Sequence, residues 1–293
     1  MPLSSFAILD NVVINDEVFP VIVDPHTHVW INDPKFPWPI ENENPPKEDQ
    51  TAEMLLELMS VHGVDKTVLV QVIHYRWDNS YAAQAAQRFP DKFMAVGRIN
   101  PEDPDAPDHL SMWTEDYGVH GVRLSPAVEG TGDWFAGSLM PPIFTRAQKL
   151  GIPLLLLTRP PRLLDLIPLL ESHGDLDVVI DHMADVHPDD VKGRATLLDL
   201  ARFPRVYVKI SHTWSISKEE YPWRDTHGLV EDVYQAFGPE RIMWGTDWPV
   251  CLGNAEYDQT LSVVRDAMKF ISPADLEWVL GKTALKLWSF DSV

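Results

Sequence analysis

Two histidines one residue apart close a β-branched run, Val21-Ile22-Val23-Asp24-Pro25-His26-Thr27-His28. In a strand, residues i and i+2 point to one face, so His26 and His28 project together from its C-terminal end. Two imidazole nitrogens on one rigid support make half a site for a transition-metal ion such as zinc. A turn with two solvated histidines is the competing reading of an isolated His-x-His pair, and the rest of the chain has to decide between them.

Further polar residues follow other short apolar runs: Gln71 and His74, Arg98 and Asn100, Arg123 and Ser125, Thr158 and Arg159, Asp181 and His182, Lys209 with Ser211 and His212, and Thr246 with Asp247. A free aspartate is ionised near neutral pH, so Asp247 can take a proton from water as a general base; its bland role is a helix N-cap. His182 is either a core histidine bonded to a carbonyl or part of the same constellation. Arg123 has the planar fork that grips a substrate carboxylate, against the alternative of a structural ion pair. His74, with Tyr75 beside it, contacts substrate or packs. Arg159, Lys209 and His212 face the mouth of a pocket or lie on a solvated loop. Trp30, Trp77, Trp214 and Trp248 either line an apolar pocket wall or pack under the loops. His62, His109, His120, His173, His187 and His227 fall in helices or connections and read as structural, and Cys251 reads as a small buried hydrophobe.

Something must hold these residues together. The pattern predicts eight strands, at about 21–28, 68–73, 93–99, 121–124, 153–157, 177–180, 206–210 and 242–244. Helices are predicted between them, at about 51–62 (closed by Gly63), 79–89, 105–117, 138–150, 160–173, 188–201 and 226–237. After the last strand come a helix at 257–270 and a short C-terminal one near 274–288. A repeat of roughly 30 residues is that of consecutive βα units, and continuously apolar strands suit a parallel sheet buried on both faces. Eight such units match a (β/α)8 TIM barrel better than an open doubly wound sheet, with the whole chain, 1–293, as a single domain with a short C-terminal helical extension. In such barrels the active site lies at the C-terminal ends of the strands, where the polar candidates from His26 to Asp247 fall. No GxGxxG follows the first strand and no P-loop pattern occurs, which weakens a nucleotide-binding reading.

Composition agrees with a small-molecule enzyme. With 293 residues, 45% of them hydrophobic, the chain can bury a large core. A net charge of −20 argues against a nucleic-acid partner, whose binders display basic surfaces. A single cysteine excludes an internal disulfide and fits a reducing, cytoplasmic compartment. The start, Met1-Pro2-Leu3-Ser4-Ser5-Phe6, lacks the pattern of a secretory signal, and apolar runs such as Leu154 to Leu157 are far too short to span a bilayer. A homo-oligomer stays open.

Three runs carry a resemblance: Asp24-Pro25-His26-Thr27-His28-Val29-Trp30, Ile180-Asp181-His182-Met183-Ala184, and Trp244-Gly245-Thr246-Asp247-Trp248-Pro249. Together, in this order, they resemble the amidohydrolase superfamily, and more narrowly its amidohydrolase-related branch of lactonases and metal-dependent decarboxylases. Gly118-Val119-His120-Gly121-Val122-Arg123-Leu124 is similar to the fourth strand of the lactonases in that branch. The resemblance implies that His26, His28 and Asp247 surround either a metal or the reacting carbonyl, with His182 polarising the carbonyl or completing the ligand set. One divalent ion, zinc first, and metal-free catalysis are both compatible with it. Binuclear members use a carboxylated lysine or a glutamate on a middle strand, where this chain has Arg123-Leu124-Ser125, so two metals are not expected. Decarboxylases place a metal-binding histidine where Thr158 stands. Pyrone-dicarboxylate lactonases commonly have a histidine where Val250 stands. The expectation is therefore a hydrolase that opens a lactone of a carboxylated or sugar-acid type, with Asp247 as general base, His26, His28 and His182 around the carbonyl, and Arg123, His74, Arg159 and His212 as substrate contacts. The alternatives are a decarboxylase or C–C hydrolase of the same branch, and a lactone isomerase.

Overall fold

The computed structural model describes residues 20–125 and 135–290. The first six residues, read above for a targeting signal, lie outside the described residues.

The elements run β1 (Val23–Thr27), α1 (Ala52–His62), β2 (Lys66–Val70), α2 (Ser80–Arg88), β3 (Phe93–Arg98), α3 (Ala106–Glu115), β4 (Val122–Leu124), α4 (Met140–Leu150), β5 (Leu154–Leu156), α5 (Pro160–Ser172), β6 (Val178–Ile180), α6 (Val191–Asp199), β7 (Val206–Lys209), α7 (Thr213–Ile216), α8 (His227–Phe237), β8 (Ile242–Met243), α9 (Tyr257–Ser262), α10 (Pro273–Glu277) and α11 (Thr283–Leu287). The eight strands pair in sequence order, and each neighbouring pair is parallel. This is the (β/α)8 barrel.

Period-2 alternation sorts the strand residues. Val23, Val68, Val70, Met94, Val96, Leu155, Val179, Tyr207 and Met243 fill the barrel interior, with Trp288 from the C-terminal segment among them. Leu69, Ala95, Leu154, Leu156, Val178, Ile180, Val206 and Val208 belong to the larger layer shared with the helices. Both faces are buried, which is why the strands read as unbroken apolar runs. Helix α1 shows the local logic. Thr51 accepts a hydrogen bond from the Met54 N–H, Ala52, Leu55 and Met59 form the buried stripe, and Gly63 ends the helix at φ +69, a conformation glycine adopts without strain.

Several boundaries differ from expectation. Strand β2 stops at Val70, and Ile73–Tyr75 forms a 3-10 turn that swings His74 towards the mouth. The segments expected as helices at 257–270 and 274–288 are broken by wide π turns at Val263–Ala267 and Trp278–Lys282. In the second of these, backbone oxygens accept from Trp244: Val279 O from its backbone N–H at 3.2 Å and Leu280 O from its indole at 3.1 Å. The same turn packs so closely that a Cβ on Gly281 would lie 1.9 Å from Val21 O. Local pattern could not anticipate contacts between residues so far apart in sequence.

Beyond β8, Thr27 and Trp248 form a parallel bridge. His28 N–H donates to Trp248 O at 2.7 Å and Asp247 N–H to His26 O at 2.9 Å. The barrel therefore closes at the point where the two histidines meet the aspartate.

Candidate active site

His26, His28, Asp181, His182, Lys209 and Asp247 are all buried, and their side chains form one continuous polar cluster at the C-terminal mouth of the barrel. Strand geometry delivers His26 and His28 together, with ring centroids 5.1 Å apart. The other residues need unusual backbone. His182, Met183, Ala184, Asp185, His212 and Asp247 all have positive φ, between 50° and 65°. Left-handed backbone at non-glycine residues costs on the order of 1–2 kcal/mol each and persists only where the surroundings impose it.

Asp247 sits at the centre. Its Oδ1 lies 2.9 Å from His28 Nε2 and 3.4 Å from His26 Nε2, and its Oδ2 is 2.6 Å from His212 Nε2. Burial alone would raise its pKa, but the hydrogen bond from His212 and the close approach of the His28 ring hold it well below the usual carboxylate range. Burial likewise opposes charge on His212, yet its bonds to Asp185 and Asp247 prevail and push it up to about 9. His212 is thus an imidazolium strung between two carboxylates. It stacks on His182 with centroids 3.5 Å apart and planes 3° from parallel. Burial and then the charge of His212 keep His182 well below its ordinary value, so it stays neutral. Its Nδ1 contacts Ser211 Oγ at 2.7 Å, and its Nε2 faces Arg123 Nη2 at 3.4 Å.

Below this layer lies a second set of charges. Asp181 receives Arg123 Nε at 2.8 Å and Lys209 Nζ at 3.1 Å, and it stands 3.4 Å from His26 Nδ1. Lys209 also meets His26 Nδ1 at 2.9 Å. Burial, and then Lys209, push His26 down to about 3. His28 is fixed from behind, its Nδ1–H donating to Val70 O at 2.6 Å. Asp24 accepts from Thr246 Oγ1 at 2.6 Å and from the His26 backbone N–H at 3.1 Å, which pins the start of β1 to the segment after β8 that carries Asp247.

The residues expected from sequence divide into two groups. His26, His28, His182, Asp247, Arg123 and His212 converge. His74 is half-buried at the rim, between Trp30 and Trp38, at centroid distances of 5.9 and 6.5 Å. Arg159 is exposed, at the cap position before α5, and makes no side-chain bond among the described residues. Lys209 lies inside the barrel, not on a solvated loop. Asp185 was not anticipated at all, because it reaches His212 only through the left-handed run at 182–185. Among the described residues, three donor groups have ligand atoms close enough for one ion: His26, His28 and Asp247; His26, Asp181 and His182; His182, His212 and Asp247.

The amidohydrolase family profile matches residues 23–290, which spans every barrel strand and the whole cluster. The chain belongs to the amidohydrolase family. Among curated relatives, L-fucono-1,5-lactonase of Burkholderia ambifaria is 26% identical over 234 residues, covering 78% of this chain and 80% of the relative. 4-Sulfomuconolactone hydrolase of Hydrogenophaga intermedia is 28% identical over 252 residues, covering 77% and 74%. Among solved structures, an amidohydrolase from Burkholderia multivorans with bound zinc superposes with a TM-score of 0.77 at 23% identity, covering 92% of this chain and all of that one. At that identity the likeness shows the fold alone. No described helix of this amidohydrolase is long and apolar enough to cross a membrane.

Proposed function

We propose that this amidohydrolase opens a lactone by adding water to the ring carbonyl. One observation carries the reading: a buried carboxylate oxygen, Asp247 Oδ1, has no hydrogen-bond partner of good geometry among the described residues, yet faces two histidine Nε2 atoms. The two relatives named above both act on lactones by name, which supports the same chemistry.

Asp247 takes a proton from the attacking water, and the resulting hydroxide adds to the carbonyl carbon. Lys209 can only donate to His26 Nδ1, so His26 carries its proton on Nε2, on the side of the cluster where the carbonyl oxygen gathers charge. The ring C–O bond then breaks, and the departing alkoxide recovers the proton from Asp247. His212 holds Asp247 in place through Oδ2 and leaves Oδ1 for the proton transfer. Arg123 holds Asp181 and meets His182, so it orders both layers of the cluster. His74, at the rim, is read as a substrate contact, and Arg159 as an outer one.

The same residues fit one divalent ion. With Nδ1–H committed to Val70 O, His28 Nε2 presents a lone pair to Asp247 Oδ1 at 2.9 Å, and two acceptors so close need a proton or a cation between them. His26, His28 and Asp247 would hold the ion, with His182 at its edge. Such an ion, zinc by preference for this donor set, would polarise the carbonyl and lower the pKa of bound water to about 7. For His26 to join, its proton must move to Nδ1, towards Asp181 Oδ1 at 3.4 Å. We read the enzyme as cytoplasmic and without a nucleic-acid partner, on its single buried cysteine and its net charge of −20.

The test is hydrolysis of a panel of five- and six-membered lactones, before and after chelation, by the wild type and Asp247→Asn. The reading expects turnover that drops at least about 1,000-fold in the variant. Absence of turnover on every lactone, together with release of carbon dioxide from an aromatic acid, would replace it with the decarboxylase reading.

A further inference from the structure

Arg98 closes β3, and its side chain starts on the interior side of the barrel: Val96, two residues earlier, belongs to the inner core, and Arg98 pairs in register with Arg123. It is only 3% exposed, yet no carboxylate among the described residues pairs with it. Arg123 has Asp181 at 2.8 Å; among the described residues Arg98 has no comparable partner. Its Nη2 donates to Ser125 Oγ at 2.6 Å, the Trp77 ring covers it at 4.9 Å, and its buried Nε has no partner among the described residues. The charges that bear on it have its own sign. After burial, Arg123 and Arg76 push its guanidinium down to about 9.

A buried charge without a counter-charge is expensive, and a folded protein normally pairs it or neutralises it. Arginine stays protonated, so Arg98 is suited to hold an anion brought to it. A cavity of about 220 Å³ adjoins it, walled by Trp77, Ile99, Met112 and Trp113. Asp103 also lines this cavity but faces His109 at 3.6 Å.

We propose that Arg98 is the seat for a substrate carboxylate. The ring to be opened lies over the His–Asp cluster, and a carboxylate carried elsewhere on the molecule enters beside Trp77 and takes the free edge of the guanidinium. The assignment names the residue that holds the carboxylate and rests on the lactonase reading for the ring. The anion seat itself does not depend on it. Arg123, committed to Asp181, is less free for this task than its position in the sequence implied.

The test has two arms. In the first, malonate, succinate and glutarate are titrated into the wild type, Arg98→Met and Arg98→Gln by calorimetry, with thermal unfolding recorded alongside. At least one diacid is expected to bind and raise the wild-type Tm, and both variants to bind it about 100-fold more weakly, as loss of a charge-assisted bidentate contact implies. Without ligand, the Met variant is expected to melt no lower than the wild type, because it removes an uncompensated charge. In the second arm, kcat/KM is compared for a lactone acid and its primary amide. The acid-to-amide ratio is expected to fall about 100-fold in the variants, through KM. Diacid binding that is absent from the wild type, or equal in all three proteins, overturns the seat. So does an unchanged acid-to-amide ratio. Arg98-dependent diacid binding in a protein that opens no lactone upholds the seat and sinks the lactonase reading alone.

Discussion

Lys209 Nζ lies 2.9 Å from Nδ1 of His26, deep inside the barrel, with neither residue exposed to solvent. An ammonium group has hydrogens to give and no lone pair to offer, so the imidazole must accept at Nδ1. The proton of neutral His26 is thereby placed on Nε2, 3.4 Å from Asp247 Oδ1. One buried lysine sets which atom of the His-x-His pair is a donor, and the choice separates a carbonyl-polarising histidine from a metal ligand.

Replacing Lys209 by methionine should therefore release Nδ1 to donate to Asp181 and turn the Nε2 lone pair into the cluster. The expected result is tighter zinc binding, by about tenfold or more on the scale of a lost ligand-orienting contact, read by calorimetry. Nitrogen-15 shifts of labelled histidine should show the His26 proton moving from Nε2 to Nδ1. An unchanged tautomer in the variant would refute the role given to Lys209.

Arg123→Met should destabilise the fold by about 3 kcal/mol, the scale of breaking a buried ion pair from one side, because Asp181 loses its 2.8 Å partner. Urea unfolding measures it. A loss below about 1 kcal/mol would mean that Lys209 alone satisfies Asp181.

Stability should fall on the alkaline side through His212. Its pKa is raised from 6.5 to about 9 in the folded protein, so its contribution is fully present below pH 6.5 and is lost as pH rises through 9. At about 1.4 kcal/mol per unit, the shift is worth at most about 3.5 kcal/mol. Unfolding free energies of the wild type and His212→Gln, taken at pH 6 and pH 9.5, should converge at the higher pH. Parallel curves would remove the imidazolium from the account.

The barrel was legible because each strand is a short apolar run followed by a polar residue, and the site because barrel strands aim their last residues at one mouth. His26, His28, His182 and Asp247 could be picked out on those grounds. Their partners were harder to read. Lys209 and Asp181 are ordinary strand-end charges until register brings them to 3.1 Å. Arg98 and Arg123 look alike in sequence, and only the pairing with Asp181 tells them apart. Asp185 depends on four consecutive non-glycine residues in left-handed backbone, which no propensity favours. Helix ends at 262 and 277 escaped notice because π turns follow contacts to distant strands, not local pattern.

The most direct test of the central claim is lactone opening in water enriched in oxygen-18, with the wild type and Asp247→Asn in parallel. The account predicts one labelled oxygen in the new carboxylate, none in the released hydroxyl, and a rate at least about 1,000-fold lower in the variant. Unlabelled product would mean isomerisation without water, label in the hydroxyl would mean attack away from the carbonyl, and a variant within tenfold of the wild type would take Asp247 out of the chemistry.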